Sequence, residues 1–165
     1  MPKQIVFGIV RAFHDLFTAM WIGGLLTTAL SFMPVFKKFM KKINGLVELL
    51  EAYQKKLANF VFISIAGLWI TGLLLSKQSP AYSGFMNFSS TSNALLSIKH
   101  ILIFIMIILA LYRRFVLGRK LKSFSENQQK IYGLLLMVNA LLGVVVLFLS
   151  GIGASLSQGF LMSIR

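Results

Sequence analysis

A chain of 165 residues with 57% apolar and only 13% charged side chains stands well outside the soluble norm of about 45–50% apolar and about 25% charged. One core of this size could not hide that much apolar surface, which excludes an ordinary soluble domain. The formal charge of +13 and the absence of cysteine carry two further messages. The charges fall in clusters between long uncharged runs, as in an integral membrane protein rather than a soluble nucleic-acid binder. Without cysteine there can be no disulfide, thiolate metal site, Cys-ligated iron–sulfur cluster or c-type haem attachment.

A helix needs about 20 apolar residues to cross the hydrocarbon, where only helices and closed barrels satisfy their own backbone. Four stretches qualify. The first spans 6–36. It is too long for the apolar region of a signal peptide and has no clear small-residue cleavage pattern, so it is expected to persist in the mature protein. The segment 43–53 reads as a short helix on the cytoplasmic side, with Glu48 and Glu51 answering some of the local charge. The second span is 57–75, bounded by Lys56 and Lys77. After it, 76–92 is rich in Ser, Gly and aromatics, and reads either as an ordered loop over the mouth of a bundle or as a plain connection. The third span is 94–117 and the fourth 131–156. With no soluble domain and no tandem repeat, the expected fold is all-α: residues 1–165 form one integral membrane four-helix bundle.

Orientation follows from basic residues near the span ends. Lys37, Lys38, Lys41, Lys42, Lys55 and Lys56 separate the first two spans, and Arg113, Arg114, Arg119, Lys120, Lys122 and Lys130 the last two. These are 12 of the 17 basic residues. They place both basic segments inside and both termini outside, in a multi-pass protein of the plasma (inner) membrane. Their expected partners are anionic lipid headgroups, not nucleic acid.

An ionisable side chain inside a span points to function, because burying it there costs at least a few kcal/mol. Both histidines of the chain, His14 and His100, lie within spans. On the first helix Arg11, His14, Thr18, Trp21, Leu25 and Thr28 share a face. On the third, Asn93, Ser97 and His100 do so, continued by Phe104, Ile107 and Leu111. The second helix offers Ser64, Gly67 and Thr71. The fourth offers Tyr132, Asn139, Gly143, Ser150 and Gly153. Small and hydroxyl residues also serve simply to let membrane helices pack closely.

Whether the histidines share a level is left open by counting. His14 precedes Lys37 by 23 residues and His100 precedes Arg113 by 13, a difference of roughly 15 Å in depth. If Pro34 ends the first helix and the third runs to Arg119, both lie 19 residues from the end. Two facing imidazoles would suit a b-type haem, with Arg11 and Lys99 answering its propionates and Trp21 packing the ring. Copper is the alternative, with His14 and His100 as metal ligands, since imidazole and Met sulfur both suit it. Met20, Met33, Met106 and Met137 are scattered, however, which favours haem. Asp15 is the only carboxylate in any span, so ion conduction has little support. No Ser–His–acid motif, zinc motif or Gly-rich phosphate loop is recognisable.

His14 seven residues before Trp21-Ile22-Gly23-Gly24-Leu25, the Thr71-Gly72 pair of the second span, and Leu96-Ser97-Ile98-Lys99 leading to Tyr112-Arg113-Arg114 together resemble the copper-resistance protein D (CopD) membrane domain over nearly the whole chain. The first-span histidine and third-span lysine also resemble the HemJ-type protoporphyrinogen oxidases, a four-helix family that binds haem b. The first resemblance implies copper transport or homeostasis. The second implies His14 as a haem or metal ligand and Lys99 as the matching functional lysine. Two departures stand out: Thr27-Thr28 replaces the HemJ-like aromatic and arginine run, and the fourth helix carries Asn139 and no acidic residue. The expected function is therefore a small b-type cytochrome for electron transfer, exchanging electrons with a quinol or an outer-face redox protein, and compatible with a homo-oligomer. The alternatives are copper handling, or a helper subunit whose histidines merely tie helices together. Whether the chain is itself a membrane oxidoreductase is open.

Overall fold

The computed structural model describes residues 2–39, 45–76, 86–117 and 126–163, and every regular element among them is helical. Helix α1 is continuous over Lys3–Phe39 and contains a π-turn at Thr28–Phe32. Helix α2 is Leu46–Ser76. Helix α3 is Thr91–Tyr112, continued by a second π-turn at Arg113–Leu117. Helix α4 is Glu126–Ser163. All four are long and apolar enough to cross a membrane, as in a multi-pass membrane protein. Lys41, Lys42, Arg119, Lys120 and Lys122, residues 77–85 and the start of the segment 43–53 lie outside the described residues.

The helices run longer than the apolar stretches. Residues expected as a separate short helix on the basic side are instead the first turns of α2, so Lys55 and Lys56 lie within a helix rather than a loop. Gly45 opens it at φ 81°, a left-handed turn that suits glycine, and its carbonyl accepts from Leu49 N–H at 3.1 Å. Pro34 does not end α1. A proline lacks the N–H of the helix ladder, and its ring crowds the carbonyl four residues back. The wider π-turn immediately before it loosens that stretch of ladder and lets the helix continue.

The bundle is held by close backbone approach. Apolar side chains gain nothing by leaving lipid for one another, so membrane helices associate through tight packing around small residues. Helices α1 and α2 lie antiparallel: the Phe17 ring covers Gly67 so closely that a Cβ there would overlap it, and Leu57 packs at Gly24. Helices α1, α3 and α4 converge on Gly143, where a Cβ would lie 3.0 Å from Ile22 Cγ2 and 3.4 Å from Met106 Cε. Trp21, Ile22, Leu25, Ala29, Val61, Met106, Leu136, Ala140 and Val146 form one core. Large apolar side chains such as Leu30, Ile70, Leu134 and Phe148 point outward, the arrangement expected when the surroundings are lipid.

Helix α3 keeps only part of its expected face: Ser97 is buried and Ile107 packs on the core. Phe104 is 60% exposed and Leu111 also points out, while Met106, Ala110 and Arg113 are buried and Leu102 and Ile103 pack on the core. Traced back at three- and four-residue steps, this inward stripe reaches Lys99, with His100 one step around the helix.

Candidate functional site

Polar side chains collect at two ends of the bundle. At one end His14, half-buried on α1, meets Thr71 of α2, with Nδ1 and Oγ1 2.9 Å apart. The Thr71 hydroxyl already donates to Gly67 O at 2.7 Å, so its oxygen is left to accept and the imidazole donates from Nδ1. In the neutral ring the lone pair then sits on Nε2. Gly72 lies beside this ring: a Cβ there would come within 3.7 Å of His14 Cε1. His100 reaches the same tautomer by another route. Its Nδ1 is 2.7 Å from Leu96 O, and a carbonyl can only accept, so Nε2 is again the basic nitrogen. A hydrogen bond that fixes Nδ1–H and orients the ring is how proteins prepare imidazole for coordination through Nε2.

The depth of the two histidines can be compared through Gly143, which Ile22 and Met106 both approach. His14 lies eight residues before Ile22 and His100 six before Met106, on helices running in the same direction. The two levels differ by about two residues, or 3 Å. Counting from the helix ends did not reveal this, because α1 continues beyond Pro34. Lys99, Asp15, Arg11 and His100 all lie near enough to His14 to interact with it electrostatically. Arg11 is exposed and Lys99 half-buried. Trp21 belongs elsewhere. It is 2% exposed in the central core, seven residues and about 10 Å along α1 from His14, with its indole N–H lacking a partner. Among the described residues no three His, Asp or Glu side chains gather to hold a metal ion.

The opposite end holds residues that sequence reasoning assigned to topology or overlooked. Thr28 donates to Gly24 O at 2.6 Å and thereby accepts from the Tyr53 hydroxyl at 2.9 Å. The Tyr53 ring stacks on Phe32 at 4.6 Å. Beside them a cavity of about 250 Å³ opens between all four helices, lined by Glu51, Gln54, Lys55, Arg113, Arg114 and Tyr132 over a floor that includes Leu57, Val61, Ala110 and Leu136. Arg113, expected in a basic loop, is inside the bundle at 9% exposure, its guanidinium 5.7 Å from the Tyr132 ring. The detectable signal was spacing. Gln54, Leu57 and Val61 form one helical stripe, and Met106, Ala110 and Arg113 form another.

No family model matches this chain. No curated protein or solved structure matches it either. Chemical reading therefore rests on the two ends themselves. One presents two imidazoles with their basic nitrogens set by second hydrogen bonds. The other presents buried cationic and amide donors around a small cavity.

Proposed function

We propose that this chain is a b-type haem-binding membrane protein that transfers electrons, with His14 and His100 as the axial ligands. The reading is supported by one observation: two histidines on different helices lie at nearly one depth, each with Nδ1 in a hydrogen bond that puts the ring's basic lone pair on Nε2. A bound haem would supply one-electron chemistry. The chain's part is to orient the rings. Thr71 holds the His14 imidazole from a neighbouring helix, and Leu96 O holds that of His100 from its own. Arg11 and Lys99 supply cations near this level for the propionates. Electron exchange with a quinol or a redox protein completes the reading, in the plasma membrane with both termini outside, as the clustered basic residues favour.

The test is an absorption spectrum of detergent-purified protein, oxidised and then dithionite-reduced, with metal analysis of the same sample. A Soret band and sharp reduced bands, lost in both His14→Ala and His100→Ala, are expected. A colourless protein with stoichiometric copper would replace this reading with copper handling, and a protein with neither would favour a helper subunit.

A second reading has its own observation behind it. Lys99, not His100, continues the inward stripe of α3. In that arrangement His14 and Lys99 would be the residues that hold the haem. Survival of the spectrum in His100→Ala, with its loss in Lys99→Ala, would establish it.

A further inference from the structure

We propose that the cavity at the basic end binds a phosphate-type anion, either the headgroup of an anionic phospholipid or a free phosphate. The inference is independent of the haem reading, because the cavity lies at the other end of the bundle. Arg113 and Gln54 are each only 9% exposed, and Arg113 Nε and Gln54 Nε2 have no hydrogen-bond partner among the described residues. Both residues line the same cavity, from α3 and α2. A buried donor without an acceptor is costly, and two converging on one space call for a ligand that brings oxygen acceptors.

Charge narrows the choice. Arg113, Arg114 and Lys55 face the cavity, with Glu51 the one carboxylate among the described lining residues, so a cation is unwelcome and an anion is favoured. The Tyr132 ring lies 5.7 Å from the Arg113 guanidinium, restricting a planar fork whose geometry suits phosphate oxygens. The volume, about 250 Å³, is just under the roughly 300–1,000 Å³ of pockets for drug-sized ligands and fits a headgroup-sized fragment. The apolar floor lets an acyl chain leave along the bundle. Basic pockets between membrane helices are known headgroup sites for this physical reason.

The test uses the full chain in phosphatidylcholine nanodiscs carrying increasing phosphatidylglycerol, read by native mass spectrometry, with thermal stability measured in parallel against inorganic phosphate. Saturable phosphatidylglycerol binding is expected, weakened roughly tenfold or more in Arg113→Gln, as loss of a charge-assisted bond implies. Lys38→Gln, at an exposed cation beside Phe39 on α1, should change it less than about twofold, as for a rim charge. Gln54→Leu keeps the buried charge and should weaken binding several-fold, which covers the case in which Arg113→Gln does not fold. Lipid binding without a phosphate effect identifies the headgroup as the source. An Arg113-dependent shift with inorganic phosphate identifies the free anion. Equal binding by wild type, Arg113→Gln and Gln54→Leu would overturn the proposal. So would protection by a neutral quinone where phosphatidylglycerol gives none.

Discussion

The two ends of the bundle solve the problem of polar groups in an apolar setting in opposite ways. At the histidine end the nitrogens that could be orphaned are met from within: His14 Nδ1 by Thr71, and His100 Nδ1 by Leu96 O. At the arginine end Arg113 Nε and Gln54 Nε2 are buried and unmet among the described residues. The first pattern sets the orientation of a ligand's partner in advance. The second leaves an energetic deficit that a ligand can remove. Buried polarity alone therefore does not identify a site; what matters is whether its hydrogen bonds close internally.

The comparison predicts a double dissociation, the largest effect expected. His14→Ala should abolish a haem spectrum while leaving phosphatidylglycerol binding intact, and Arg113→Gln should weaken phosphatidylglycerol binding roughly tenfold or more while leaving the spectrum intact. Spectroscopy and native mass spectrometry on the same two variants would break the comparison if either variant lost both properties while remaining folded. Next in size is Gly67→Ala. Its new methyl would overlap the Phe17 ring, and overpacking of this kind costs about 1–3 kcal/mol, measurable by thermal unfolding in detergent. Because Phe17 lies one turn from His14, this variant should disturb the histidine end first.

Thr71→Val sharpens the contrast with less damage. It removes the acceptor for His14 Nδ1–H at nearly constant volume, and loss of such an outer hydrogen bond lowers cofactor affinity by about 10–100-fold. Haem titration should show that drop, with Thr71→Ser restoring affinity. Tyr53→Phe should have the smallest effect. Thr28 keeps its bond to Gly24 O, so only the Tyr53 contact is lost, worth about 0.6 kcal/mol in a membrane bundle. A thermal melt shifted by only a few degrees would agree.

The four long apolar helices were legible because their apolar runs are long and largely uncharged. Their ends were not. Hydropathy responds to the hydrocarbon, whereas α2 begins eleven residues before Leu57 in a polar but helix-favouring stretch with Glu51 four residues before Lys55. The inward face of α3 was illegible for the opposite reason. Every residue from Ile101 to Leu111 is apolar, so Phe104 and Met106 are equivalent on paper, and only contact with Gly143 distinguishes them. His14 and His100 were found as ionisable groups in spans, but their common level depends on the register among α1, α3 and α4, which one sequence does not encode visibly. Arg113 was taken for a topology signal, since a cation beside a basic segment normally stays in water. Its place on the stripe with Met106 and Ala110 was the competing sign.

The wide turns at Thr28–Phe32 and Arg113–Leu117 have a bearing on chain length. A π-turn holds one residue more than the surrounding α-helix requires. Losing one residue elsewhere in a span rotates everything beyond it by about 100° and carries the buried face into lipid. Losing one inside a π-turn restores an ordinary turn and leaves both flanks in phase. In α1, Pro34 opposes that repair because it needs the loosened ladder before it. In α3 the turn is the last described part of the helix, so a residue lost there leaves the face from Thr91 to Tyr112 in phase.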